Sequence, residues 1–173
     1  MTAYVALLRG VNLAGRSSLK MADLKTIAGE LGLERPRTYI ASGNLLFASS
    51  KPEEELRRLL EHKLRAHMAK DMRVMLRTAA EMDAVVAANP FAEVPPKSVQ
   101  CFFLNEKPAS GLLQTVRNKA DDERVAAGAR EVYVAYGERG IGHSRLRIPA
   151  AEAGTARNMN TVAKLAEMAR EME

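Results

Sequence analysis

The sequence holds one cysteine, Cys101, which excludes an internal disulfide and any metal site built from several thiolates. Cys101 stands in the apolar run Val99-Gln100-Cys101-Phe102-Phe103-Leu104, where it reads as a small core residue and not as a nucleophile. Tryptophan is absent, and the aromatic complement is four phenylalanines and four tyrosines. That is thin for a base-stacking sheet, and the Lys/Arg-Gly-Phe-Gly-Phe type run of RNA-recognition modules is missing. The three histidines, His62, His67 and His143, fall at no metal-ligand spacing, and neither a metal nor a cofactor is expected. No Gly-x-Ser-x-Gly elbow occurs, and Asp121-Asp122-Glu123 reads as a solvated turn, so no reaction class is favoured. No apolar run approaches the roughly 20 residues of a membrane helix. The start, Met1-Thr2-Ala3-Tyr4-Val5, lacks the basic and small-residue features of a signal peptide, which makes the cytoplasm the expected compartment.

What is present suffices for a folded core. A chain of this length buries roughly 70% of its unfolded surface, and 47% of the residues are hydrophobic. The net charge of +5 is unevenly placed. Residues 1–77 hold 14 Lys and Arg against 8 Asp and Glu, whereas residues 78–173 hold 12 against 13. A basic half suits an anionic ligand or nucleic acid, although such an excess also simply keeps a protein soluble.

Residues 4–8 are apolar throughout, as in a strand covered on both faces. Met21, Leu24, Ile27, Ala28 and Leu31 recur at helical spacing, with Ser17 or Ser18 as cap and Gly32-Leu33 as a left-handed stop. Thr38-Tyr39-Ile40 and Leu45-Leu46-Phe47 flank Ser42-Gly43-Asn44 and predict an antiparallel hairpin. Pro52 and Glu53-Glu54-Glu55 open a long helix with the stripe Leu56, Leu59, Leu60, Leu64 and Met68, and residues 72–76 form the next strand. This order, βαββαβ, is that of a ferredoxin-like unit. Thr78 caps a further helix that Asn89-Pro90 ends, and Pro95-Pro96 follows as a linker. A strand over 98–104, a helix near 112–119 and strands over 123–127 and 131–136 repeat the order βαββ. A last helix carries Met159, Val162, Leu165, Ala166 and Ala169 on one face. The expected fold is α+β, with two ferredoxin-like (βαββαβ-type) units packed into one structure as a pseudo-duplication. Residues 1–77 form the first unit, 78–97 a helix and Pro-containing linker, and 98–173 the second unit with the C-terminal helix.

Three turns carry similar polar chemistry: Arg9-Gly10-Val11-Asn12, Ser42-Gly43-Asn44 and Arg157-Asn158-Met159-Asn160. Unpaired backbone N–H groups at such turns, with an arginine fork beside them, suit phosphate, sulfate or carboxylate. The candidate binding residues are Arg9, Asn12, Ser42, Asn44, Arg157, Asn158 and Asn160, holding a small anionic ligand in one cleft. The spacing Gly10-x-x-x-x-Gly15 imitates a phosphate loop, but Arg16-Ser17 stands where Lys-Ser/Thr is needed. The same residue types also serve as plain turn formers and caps, Asn158 or Thr155 for the last helix. A second, less favoured reading is a nucleic-acid module using Arg57, Arg58, Arg65 and Lys70. A third is an interaction or oligomerisation module with an exposed apolar patch.

Three motifs in order carry a family resemblance: Tyr4-Val5-Ala6-Leu7-Leu8-Arg9-Gly10-Val11-Asn12, then Tyr39-Ile40-Ala41-Ser42-Gly43-Asn44-Leu45-Leu46-Phe47, then Thr155-Ala156-Arg157-Asn158-Met159-Asn160-Thr161-Val162. The chain resembles the bacterial family named domain of unknown function 1697 over nearly its whole length. The resemblance implies a fold of two α/β units and no activity. One departure is Met159, where members of that family commonly carry tryptophan; a packing role there tolerates methionine.

Overall fold

A computed structural model describes residues 1–13 and 18–173. Gly15 of the phosphate-loop-like spacing and the capping candidate Ser17 lie outside the described residues. The fold is α+β, with two four-stranded antiparallel sheets and, among the described residues, four α-helices. The chain divides into two units, Met1–Asp83 with Leu165–Glu173, and Ala84–Lys164.

In the first unit the elements run β1 (Thr2–Leu8), α1 (Met21–Glu30), β2 (Glu34–Thr38), β3 (Asn44–Ser49), α2 (Glu53–Met68) and β4 (Val74–Thr78). The sheet order is β2-β3-β1-β4. One face packs Tyr4, Ala6, Leu8, Leu45, Phe47, Val74 and Leu76 against the stripes of α1 and α2, namely Leu24, Ile27, Leu56, Leu60 and Leu64. The other face, carrying Ala3, Val5, Leu7, Leu46, Met75 and Arg77, is buried too, which is why β1 shows no polar alternation. The stop of α1 is as expected. Gly32 takes φ +73°, Leu33 N–H donates to Ala28 O at 3.0 Å, and the Leu33 side chain is buried. Its start is not. The N-cap is Lys20, with no side-chain capping bond, so Ser18 does not cap this helix.

The hairpin forms, but β2 lies earlier than the apolar residues Thr38-Tyr39-Ile40 suggest. Glu34-Arg35-Pro36-Arg37-Thr38 is an edge strand with a register shift between Glu34 and Arg37. Charge, proline and a bulge are what an edge tolerates, and they resemble a loop when read without the sheet.

In the second unit β5 (Val99–Phe103), β6 (Arg124–Ala127), β7 (Glu131–Ala135) and β8 (Thr155–Asn158) pair in the order β6-β7-β5-β8. The two sheets match strand for strand. Val5 faces Leu46 and Arg77; Cys101 faces Tyr133 and Arg157. Leu8 N–H donates to Gly43 O at 2.9 Å, and Leu104 N–H donates to Arg130 O at 2.9 Å. The correspondence between the two sheets therefore extends to individual registers. The helix expected over 112–119 is a correction: only the 3-10 turn Leu112–Thr115 forms, because the Thr115 hydroxyl bonds back to Leu112 O and the chain then extends at Val116. Asp121 and Asp122 form the exposed turn expected there, but Glu123 is a correction, being buried, with its carboxylate accepting from Ala120 N–H and the Ser144 hydroxyl.

Each fourth strand ends in a helix cap. Thr78 and Glu81 make a capping box on α3 (Ala79–Ala87), with bonds of 3.1 and 2.8 Å. At the matching position Asn158 Oδ1 accepts from Thr161 N–H at 3.0 Å on α4 (Met159–Arg170).

Candidate functional site

Two of the three polar turns meet in the first unit. Asn12, at φ +55°, donates from Nδ2 to Leu19 O at 3.0 Å and Ala41 O at 2.6 Å, and its Oδ1 accepts from Leu19 N–H at 2.8 Å. Both amide hydrogens are thus committed to backbone, and the side chain staples the turn after β1 to the loop before β3. Asn44 is fully buried, donating to Tyr39 O and the Ser42 hydroxyl, both at 3.0 Å. Ser42 is half-buried, and Arg9 is exposed.

Arg9 N–H donates to Arg73 O at 3.0 Å, extending the β1–β4 register beyond Leu8 and Val74. Arg9 and Arg73 therefore stand opposite one another on the sheet face that carries Leu7 and Met75, and both are exposed. Lys70 Nζ reaches Gly10 O at 3.3 Å. Three cations gather at this end of the sheet.

The same loops hold an outlier. Ile40 takes φ +51°, a left-handed conformation that is costly for a β-branched residue, and its side chain is 50% exposed. Strain of this kind persists where the surroundings enforce it and gathers at functional sites. Ile40→Asn is expected to raise unfolding free energy by about 1 kcal/mol, since asparagine tolerates this region. The check is a higher urea midpoint at unchanged slope; a lower midpoint would show that the isoleucine contacts outweigh the strain.

The third turn belongs to the second unit. Arg157 lies on β8, 7% exposed, donating to Thr155 Oγ1 at 2.7 Å and Ala156 O at 2.9 Å. Burial pushes its guanidinium down to about 10. Asn158 is the cap already described, and Asn160 is exposed. β8 itself, which places Arg157 in a sheet and not at a helix head, has no apolar run to announce it.

Sequence reasoning missed Arg73 and Arg77. Arg77 is 1% exposed and occupies in β4 the place of Arg157 in β8. A usable signal was present: Arg77-Thr78 and Arg157-Asn158 are both an arginine followed by a helix-capping residue. The cations of α2 are largely neutralised, Arg57 by Glu54, Lys63 by Glu30 at 2.8 Å and Arg65 by Asp71 at 3.0 Å.

A family model described as a protein of unknown function, DUF1697, matches residues 1–133. Comparison with curated proteins returns no match. Among solved structures the chain is similar to a conserved bacterial protein from Streptococcus pneumoniae, at 24% identity and a TM-score of 0.77, covering 97% of this chain and 98% of that one. At that identity the likeness speaks for the fold.

Proposed function

We propose that this chain, which belongs to the DUF1697 family of unknown function, binds a small anionic ligand at the end of its first sheet. The observation that carries the reading is the Arg9–Arg73 juxtaposition, with Lys70 beside it. An anion bridging the two guanidiniums makes paired, charge-assisted hydrogen bonds with both. Asn12, Ser42 and Asn44 then act as the frame that fixes the loops, and Arg9 and Arg73 as the contacts. The reading does not depend on Arg157, Asn158 or Asn160. The order β2-β3-β1-β4, with helices after β1 and β3, supports the ferredoxin-like description of the first unit. Nucleic acid is the weaker reading, because the ion pairs along α2 leave no continuous single-sign stripe.

Orthophosphate is the first probe, with chloride at matched ionic strength as control. Wild type is expected to melt higher as phosphate rises, by about 2.7 kcal/mol of added stability at a hundredfold excess over Kd. The double variant Arg9→Gln/Arg73→Gln should lose that gain while keeping its phosphate-free melting point. An equal phosphate gain in the double variant, or none in wild type, rejects the site.

A further inference from the structure

The second unit has a covering problem that the first does not. Its sheet face bearing Phe102, Val132 and Val134 matches the first-unit face covered by α1 and α2, yet among the described residues the segments packed on it carry only the 3-10 turns Leu112–Thr115 and Pro149–Ala151. Turns of three or four residues present less apolar volume than helices of ten and sixteen. The consequence is a hollow of about 140 Å³ walled by Phe102, Tyr136, Leu146, Ile148 and Ala151. A cavity of roughly 150 Å³ lined by similar residues takes up benzene. Tyr136 is held in place by its hydroxyl, which donates to Gln100 Oε1 at 2.9 Å.

The rim is polar. Arg147 and Glu152 both line the hollow, paired at 2.7 Å, with side chains 59% and 53% exposed. An exposed pair of this kind contributes little and is readily exchanged. Arg147 is also backbone-paired with Arg117 through bonds of 2.8 and 2.9 Å, which sets a second arginine directly opposite.

We propose that this hollow is a binding site for a small aromatic carboxylate, its ring against Phe102 and Tyr136 and its carboxylate on Arg147 in place of Glu152. The apolar walls set the size, about one ring, and the planar guanidinium fork selects a carboxylate over a neutral or cationic head group. This site is separate from the anion site of the first unit and stands or falls without it.

The test is an NMR titration of the full chain with benzoate and, as its neutral counterpart, benzyl alcohol. Benzoate is expected to saturate with a Kd in roughly the millimolar range of fragment-sized ligands, and to shift the amides of Phe102, Tyr136, Leu146 and Ile148. Benzyl alcohol should bind about tenfold more weakly, and Arg147→Gln should bring benzoate down to the same level. Arg147 is exposed, so that variant keeps the fold. Ala151→Leu fills the hollow and should abolish both ligands, with amide dispersion reporting that the chain is folded. Equal binding of the two ligands with no effect of Arg147→Gln would overturn the carboxylate site. So would an absence of saturable shifts, or benzoate shifts confined to residues around Arg9 and Arg73.

Discussion

Arg77→Ala is expected to destabilise the protein by about 3–5 kcal/mol, the range for truncating a large buried side chain. For a chain of this length that lowers the melting temperature by roughly 10 °C. Arg77 is 1% exposed and heads the fully buried side chains by volume, and its Nη1 donates to Leu76 O at 2.8 Å. Alanine leaves a cavity the length of the arginine stem and takes the donor from that carbonyl. Arg77→Met keeps most of the volume and should restore about half of the loss, because apolar replacements of buried charges are well tolerated. Arg73→Ala, on the same face near the start of β4 but exposed, should stay within about 0.5 kcal/mol of wild type. Chemical denaturation of the three variants separates these values. A cost for Arg77→Ala no larger than that for Arg73→Ala would mean that this part of the sheet is hydrated.

Gly43→Ala should cost about 2–4 kcal/mol from two sources that can be told apart. Gly43 takes φ +88°, and a Cβ there would lie 2.5 Å from Val11 Cγ2 and 3.0 Å from Leu8 Cβ. Gly32, also left-handed at φ +73°, has nothing within 4 Å of the same atom, so Gly32→Ala measures the backbone strain alone, about 1 kcal/mol. The excess at Gly43 is the collision. Since Gly43 O accepts from Leu8 N–H, the collision falls on the bond that holds the two polar turns together. Phosphate binding should therefore weaken along with stability in Gly43→Ala and remain unchanged in Gly32→Ala. Equal costs at the two glycines would remove the steric account.

The readable parts of this fold are those whose signal is local. The apolar run of β1, the stripe of α2 and the Gly32-Leu33 stop are each complete within a few residues, and each is found where the pattern puts it. What escaped needed a partner from elsewhere in the chain. Thr155-Ala156-Arg157-Asn158 is a strand only because β5 lies alongside it, and Glu34 to Thr38 is a strand only because β3 does. Leu112, Leu113 and Val116 have helical spacing, but a single 3-10 turn is enough to bury Leu112 and pack Val116 against the core, with Leu113 left exposed. The site shows the same division. Arg9 and Ser42 were visible as polar turn residues, whereas Arg73 becomes relevant through the pairing of two strand ends more than sixty positions apart in the chain. Asn12 looked like a ligand contact because asparagine serves binding and turn-making equally well. Only the positions of Leu19 and Ala41 show where its hydrogen bonds go.

Leu165–Glu173 belongs with the first unit, where Arg35 donates to Met172 O at 2.6 Å and Arg170 pairs with Asp83 at 2.9 Å. On the ribosome this sets an order of events. The stretch that completes the first unit is polymerised some eighty residues after Asp83, a delay of about 4–16 s at ordinary elongation rates. Through that interval the nascent first half lacks part of its native contacts, while the whole second unit is still being made. The N-terminal half must therefore remain soluble in an unfinished state, and the four surplus positive charges of residues 1–83 keep such copies apart on neighbouring ribosomes.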